Sequence, residues 1–571
     1  MKNKIVLNLL IYILISLIIT LPFLLNLNWG LPSVKKTYLI FDTDDEIKKY
    51  ILLMIETRNK YYSSVRQIYT QSDIDIKESI NKVYSLKSKP FEEITLDLKL
   101  NYTRGYLLGS MNSDEQRNIV VISSLDPFKF DFNPNDFTYG GLWYYSIACG
   151  FVVGKLLGMI SLTKDIEYYF FHPQEVANMY LIIRILSLLG LIGSVILLFF
   201  VLKKIFSTKV ALLSVLLLSS MPIVVINTKT AKPHTLGMFF VLVGSWFCIK
   251  IFEEEDIKNY VLSGIFFGIA FALLYPNIVS ILILYFAVLL KNNFRLKSVI
   301  NKKVVIATIV FITVFLLTNW YIIPDFEKFL RRKKELEIIF NYGNLNLTAS
   351  IMFLKDFFIT NLPIILLPMT ILGITKILKD KLKMFYPILL FVLTYFLIVM
   401  IYLKHPNVFI ICLPFISIFS ALGIEDFFKK NFVSKIYSIL TLVFFISTAL
   451  YGNFSYKIAE KRLLSTGQWI NKNIENFSTI GVIDGYFCVG SWPPFKFLKY
   501  KLISLPSDQS WKEEHLPDYL VLVNDQIEKY NIYTQKEYKV MLSSDNILDK
   551  MISYIYPSVR IKIYEKLYRK K

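Results

Sequence analysis

The chain has 571 residues, 54% of them hydrophobic, with a mean hydropathy of +0.48 and a formal net charge of +20. That is too apolar for a soluble protein of this length, and runs of roughly 18 or more apolar residues mark repeated membrane spans. The charge does not point to nucleic acid, since no recognition helix, zinc spacing or aromatic–basic motif accompanies it; lysines at cytoplasmic helix ends and beside anionic headgroups account for it. Four scattered cysteines, Cys149, Cys248, Cys412 and Cys488, form no disulfide framework and read as small buried hydrophobes. With four histidines, a histidine-based metal centre is not expected.

Lys2 and Lys4 precede an apolar run from Ile5 to Leu27, read as a retained anchor with its lysines inside. Outside it comes Asp42-Thr43-Asp44-Asp45-Glu46, four acids in five residues. Such a cluster is tolerated in a solvated loop or a helix N-terminus, where carboxylates favour the dipole and cap the first turn. It also suits a catalytic base, with or without a metal. Residues 28–178 form a long, mixed first outer loop. Within it, Asn133-Pro134-Asn135-Asp136 leads to Leu142–Leu162, whose Trp143, Tyr144 and Tyr145 suit a segment lying at the interface.

With that segment at the interface, the second crossing is Met179 to Val201 and ends at Lys203, Lys204 and Lys209. Further spans are expected near 210–227, 234–252, 259–275, 276–291, 303–323, 361–378, 384–403, 406–424 and 436–452. Most lysine-rich turns then face inward; the acidic turn Glu253–Asp256 and the outer cluster Arg331-Arg332-Lys333-Lys334 are exceptions. About 11 crossings place the tail outside, beside the acidic stretch in topology. Four Asn-X-Ser/Thr sequons, at Asn101, Asn346, Asn453 and Asn476, fall on that side. The tail has short β-like runs, Thr479 to Ile483, Tyr519 to Val523 and Val559 to Ile563. The expected fold is a mainly α, polytopic transmembrane helical bundle, residues 1–452, followed by a small α/β outer domain, residues 453–571.

This arrangement resembles the GT-C superfamily of integral membrane glycosyltransferases, in the branch of protein O-mannosyltransferases and aminoarabinose transferases. Asp45-Glu46 with Tyr50 matches the acidic motif of the first loop, and Asn133-Pro134 with Tyr139-Gly140-Gly141-Leu142 resembles the turn into the interfacial helix. Arg184 and Ser187 match an Arg-x-x-Ser pattern, and Ser220-Met221-Pro222 resembles the close of the third span. Leu262 to Ala270 resembles a glycine-spaced span, Lys404 with Pro414 a late Lys…Pro segment, and Trp469-Ile470 with Asn473-Ile474 the opening of the outer tail. Three positions depart from the pattern: His234 replaces a frequent acid, Tyr275-Pro276 a frequent lysine, and no arginine accompanies Lys404.

The resemblance implies hexosyl or pentosyl transfer from a polyprenyl-phosphate-type carrier to a protein, lipid or glycan acceptor at the outer face. Asp45 is the expected base, with Glu46 orienting it or the acceptor. Asp136 is a second acid near the acceptor or an Asx-turn residue, and Asn133, in the same turn, is expected with it to bind substrate or carrier. Arg184 is expected to meet carrier phosphate or a carboxylate of the first loop, and Lys404 either recognises phosphate or is an interfacial lysine with no function. A divalent cation, Mg or Mn, held by Asp42, Asp44 and Asp45 is left open. The alternatives are a polytopic transporter or lipid-linked-sugar flippase, or a GT-C shell without activity.

Overall fold

The computed structural model describes residues 20–70, 89–340, 347–483, 489–490, 492–507, 511, 515–530, 538–543 and 559–567. Most of the first apolar run, with Lys2 and Lys4, lies outside these residues, as do Asn346 and Cys488. Five helices are long and apolar enough to cross a membrane: Pro173–Ile205, His234–Glu253, Lys383–Leu403, Pro406–Phe428 and Phe432–Asn473. Two bent pairs raise the number to 7, and Ile257–Leu273 and Tyr275–Lys291 are shorter apolar helices. The chain is therefore a mainly helical, multi-pass membrane protein with a small C-terminal sheet. It divides into two compact units, described in turn: residues 1–27, 120–150 and 182–453, and residues 28–119, 151–181 and 454–571.

The first unit is helical. Thr208–Ser220 and Pro222–Thr228 meet at a 65° bend. The cause is local: Pro222 begins a new helix with no N–H to donate, and Met221 before it is extended (φ −67°, ψ 129°). The Ser-x-Pro signal in the sequence therefore marks a broken span. The glycine-spaced run serves close packing. A Cβ on Gly264 would meet the carbonyl oxygen of Ala307, and one on Gly268 would lie 2.9 Å from that of Phe311. Small residues let Ile257–Leu273 and Lys302–Thr318 approach backbone to backbone, as membrane helices require when lipid supplies no hydrophobic drive. Gly264→Ala is expected to cost about 1–3 kcal/mol through overpacking. A detergent thermal melt measures it.

The acidic turn that broke the inside pattern is neutralised locally. Lys291 and Lys303 each lie 3.9 Å from the Glu255 carboxylate, and Lys303 Nζ also donates to the Glu255 carbonyl at 2.8 Å. Cys248 and Cys412 are buried as expected, whereas Cys149 is exposed on Gly141–Leu156. The sequon at Asn453 is buried (1%) and its amide donates to Ala449 O at 2.9 Å, so this side chain is closed to modification in the fold.

The second unit combines parts of the first loop with the tail. Its sheet has the order β2-β1-β3-β5-β4, with β1 Thr479–Ile483, β2 Lys501–Leu505, β3 Tyr519–Val523, β4 Tyr538–Ser543 and β5 Ile561–Lys566. β2, β1 and β3 pair in parallel, while β5 runs antiparallel to both β3 and β4. The first two β-like runs of the sequence are β1 and β3, and the third is shifted into β5. Residues 91–94 of the first loop pair backbone to backbone with the open edge of β2, Phe91 N to Ser504 O and Ile94 N to Leu502 O, both 2.7 Å. That covers an edge which would otherwise invite another strand. Beneath it, first-loop Trp29, Phe41, Ile47, Ile51 and Tyr106 share a core with tail Trp492, Phe495 and Phe497.

Candidate functional site

The acidic stretch opens a helix, α1, Asp44–Thr70. Thr43 sits at its N-cap: the Glu46 N–H donates to Thr43 Oγ1 at 3.2 Å, and the Glu46 carboxylate accepts from the Asp42 N–H at 2.8 Å. This is a capping box, with Glu46 satisfying an otherwise free donor. Asp44 accepts from the Tyr38 hydroxyl at 2.8 Å. Asp42 pairs with two tail lysines, Lys496 and, at 2.5 Å, Lys499. Their hydrogen bonds hold the Asp42 carboxyl below its usual range and push the Lys499 amine up. Of the two acids in the stretch that have an ion pair, Asp45 is the more exposed, at 94%, with Lys48 3.8 Å away. The four acids thus avoid mutual repulsion by pointing at different partners. Asp42, Asp44 and Asp45 do not converge, and among the described residues no group of three or more His, Cys, Asp or Glu is placed to hold a metal ion.

In the first unit, the Asn133–Asp136 turn is cross-braced. Asn133 Nδ2 donates to Asp325 at 2.6 Å, and Lys328 pairs with the same carboxylate at 2.6 Å. Burial works to raise the Asp325 carboxyl, but these two donors outweigh it and hold it below the usual range. Asp136 accepts from the Thr138 N–H at 2.8 Å, an Asx turn, and from the Tyr144 hydroxyl at 2.6 Å. Arg332 grips Thr138 Oγ1 through Nε at 3.3 Å and Nη2 at 3.1 Å, while its Nη1 pairs with Glu335 at 2.9 Å.

Next to Arg332 on α2, Phe326–Phe340, the Lys333 ammonium lies 3.7 Å from the centre of the Tyr275 ring. Burial pulls this amine down to about 7, with Arg332 adding to the effect and Asp136 opposing it. At Tyr275 the resemblance leads one to expect a lysine. Here the cation reaches that place from α2, stacked on the aromatic face. The charge cluster 331–334 was legible; that Arg332 holds Thr138 and Lys333 sits on the Tyr275 ring was not, because it depends on the turn and α2 folding together.

Arg184 and Ser187 tie helix ends of this unit together. Arg184 is fully buried and Nη1 donates to Leu27 O at 2.6 Å. Ser187 Oγ donates to Lys232 O at 2.8 Å, and Thr235 Oγ1 donates to Ser187 O at 2.6 Å. Lys404 follows a π-helical turn, Val399–Leu403, in the left-handed region (φ 42°), its N–H returning to Val399 O at 2.7 Å. His234 is buried against Tyr139. The expected site residues therefore divide: Asn133, Asp136, Arg184 and Lys404 lie in one unit, Asp42, Asp45 and Glu46 in the other.

The described residues thus show a multi-pass helical unit with a hydrogen-bonded turn at Asn133–Asp136, and a second unit with an acidic helix start and a small sheet. Residues 177–321 match the family model described as dolichyl-phosphate-mannose-protein mannosyltransferase, which supports the GT-C resemblance read from the motifs. No curated protein matches the chain. Among solved structures it is similar to ArnT from Cupriavidus metallidurans bound to undecaprenyl phosphate: 10% identity, TM-score 0.40, covering 75% of this chain and 88% of that one. The apo state of the same protein gives 12% identity, TM-score 0.36, and covers 75% and 87%. An Archaeoglobus fulgidus oligosaccharyltransferase complex with Zn and sulfate gives 12%, TM-score 0.34, 67% and 59%.

Proposed function

We propose that this chain is a glycosyltransferase that moves a sugar from a polyprenyl-phosphate-type carrier to an acceptor on the outer face of the membrane. The observation that carries the reading is a polar turn, Asn133–Asp136, braced through Thr138 by Arg332, with the half-buried Lys333 beside it on the Tyr275 ring, on a chain whose residues 177–321 match a dolichyl-phosphate-mannose-protein mannosyltransferase model. In the reaction an acceptor oxygen attacks the anomeric carbon, the carbon–oxygen bond to phosphate breaks, and the carrier leaves as its phosphate. The acceptor proton passes to a carboxylate base, assigned to Asp45, while Glu46 fixes the helix start that presents it. Cations stabilise the departing phosphate; Lys333 and Arg332 join Lys404 as candidates for that role. The topology that goes with this reading has about 11 crossings, Leu142–Leu162 at the interface, and residues 453–571 outside. Incubating the reconstituted protein with radiolabelled polyprenyl-phosphate sugar and membrane acceptors tests it. Carrier-dependent labelling is expected; movement of intact carrier across the bilayer without transfer would instead select the flippase.

The Lys333 amine makes the reading pH-sensitive. It carries its proton fully only below about 7, so carrier binding through it is strongest there and weakens as pH rises through that value. Lys333→Gln should raise the KM for carrier by about tenfold at pH 6 and flatten the profile. The stability sign is the opposite: unfolded Lys333 keeps its proton to near its ordinary 10.5, so stability rises with pH between about 7 and 10.5.

A further inference from the structure

The loop that leads into the Asn133–Asp136 turn carries phenylalanines at alternate positions, Phe128, Phe130 and Phe132. All three are exposed, the first two at 93% and 82%. The backbone fixes the shape of this loop. Asp126 and Asp131 close it with two hydrogen bonds, Asp126 N to Asp131 O at 2.9 Å and Asp131 N to Asp126 O at 3.0 Å. Within that ring the Lys129 N–H donates to Asp126 O at 3.0 Å, and the Phe130 N–H to Pro127 O at 3.2 Å. The turn puts Phe130 in the left-handed region (φ 55°), which a bulky side chain rarely adopts. A rigid loop thus holds two aromatic rings away from the rest of the fold. In water that arrangement exposes apolar area for no gain, and a cluster of such exposure marks a contact surface.

The neighbouring structure says what covers it. Lys302–Thr318 turns an apolar stripe outward, Val305, Ile309, Ile312, Leu316 and Leu317, the face that a membrane helix gives to lipid. Just past its end Trp320 is exposed as well, where an amphipathic ring suits the edge of the hydrocarbon. The phenylalanine loop is tied to that end of the helix. The Tyr145 hydroxyl donates to Phe132 O at 3.0 Å and lies beside Trp320. Asn133 Nδ2 donates to Asp325, and the Gly141 N–H donates to Asn319 Oδ1 at 2.7 Å. The loop therefore hangs from the interfacial end of a lipid-facing helix. Lys129, exposed between the two rings, has a stem long enough to keep its ammonium in the headgroup layer while the rings sit below it.

We propose that the Asp126–Asp131 loop is a membrane anchor, with Phe128 and Phe130 inserted at the boundary of headgroups and acyl chains. Its partner is the lipid surface, not an acceptor protein or a second copy of the chain. Phe132 leads directly into Asn133, so the inserted loop pins the Asn133–Asp136 turn to the bilayer surface. The anchor stands on exposure and hydrogen bonding and holds whether or not the chain transfers sugar.

The test uses the full chain in phosphatidylcholine nanodiscs with no sugar donor. Cys149→Ser and Cys488→Ser remove competing thiols, and an environment-sensitive fluorophore is attached at Phe128→Cys or, separately, at Phe130→Cys. Both side chains are exposed, so neither change removes packing from the fold. Phospholipid carrying a nitroxide near the top of its acyl chain should quench each label by about twofold or more. The same label at Leu317→Cys, on the lipid-facing stripe, is the reference for lipid contact. Aqueous iodide should leave the loop labels unquenched. Quenching by iodide and not by the nitroxide would put the loop in water and overturn the anchor. Protection from both quenchers would put another protein over the rings and overturn it equally.

Discussion

Asp45→Asn is expected to lower sugar transfer by about a hundred- to ten-thousand-fold, the range supplied by a positioned general base. The variant is isosteric and keeps a hydrogen-bonding side chain. The wild-type carboxylate is 94% exposed, and its one ion-pair neighbour among the described residues, Lys48, is 3.8 Å away. An ion pair that open contributes little to stability. The thermal transition and the yield of inserted protein should therefore match wild type while turnover collapses, a split a structural role would not produce. Glu46→Gln provides the comparison. Its carboxylate accepts the Asp42 N–H at 2.8 Å, and glutamine retains that bond, so a modest loss is expected. If Asp45→Asn instead transfers at the wild-type rate from saturating carrier, the base is elsewhere, and Asp136 with its 2.6 Å contact to Tyr144 becomes the group to replace.

Patterns set by neighbours in sequence were legible in advance, and patterns set by distant partners were not. Strands β1 and β3 follow from apolar runs bounded by polar residues. The glycine spacing of Leu262–Ala270 was legible, but the helix it packs on, at Ala307, was not; the break at Met221-Pro222 follows from a local backbone rule yet falls inside a span expected to be continuous over 210–227. The acidic stretch was half legible. A Thr-x-x-Glu spacing from Thr43 to Glu46 is itself a capping signature, and that signal was available without a structure. The fate of Asp42 was not, since its partners Lys496 and Lys499 lie more than 450 positions away in the chain.

The same distinction separates the site residues. Arg332 and Lys333 read as one undifferentiated basic cluster, because sequence cannot say which cation turns inward. The structure turns Arg332 to Thr138 and Glu335, and seats Lys333 on Tyr275. Arg184 was singled out because a guanidinium within an apolar run must find partners. The sequence offered carboxylate or phosphate, and the structure adds a backbone carbonyl, that of Leu27. The boundary at 452/453 was drawn from the change in composition, and the division between the two compact units falls at 453/454, inside the 42-residue helix Phe432–Asn473. Apolar and polar helical segments share the same backbone hydrogen bonding, so a change of solvent does not end a helix.

Arg184→Ala should destabilise the protein by about 2–4 kcal/mol, combining a lost charged hydrogen bond with the void left by a buried side chain. The reason lies at the end of the first apolar run. The last carbonyls of a helix have no partner within it, and in an apolar setting water does not supply one. Two cations from other helices do so here: Arg184 donates to Leu27 O at 2.6 Å, and Lys229 to Leu25 O at 2.5 Å and Pro22 O at 3.4 Å. Positive charge also suits the negative end of the helix dipole. Because both residues serve one helix end, Arg184→Ala and Lys229→Ala should be non-additive, with a coupling of about 0.5–3 kcal/mol in a double-mutant cycle of detergent melts. The cycle separates two roles for Arg184. A residue whose work is to hold carrier phosphate would leave the melting temperature unchanged on removal and raise the KM for carrier. One that anchors the first span lowers the melting temperature first, and Lys229 then becomes the stronger partner to test by Lys229→Met, which keeps the length of the chain and removes the charge.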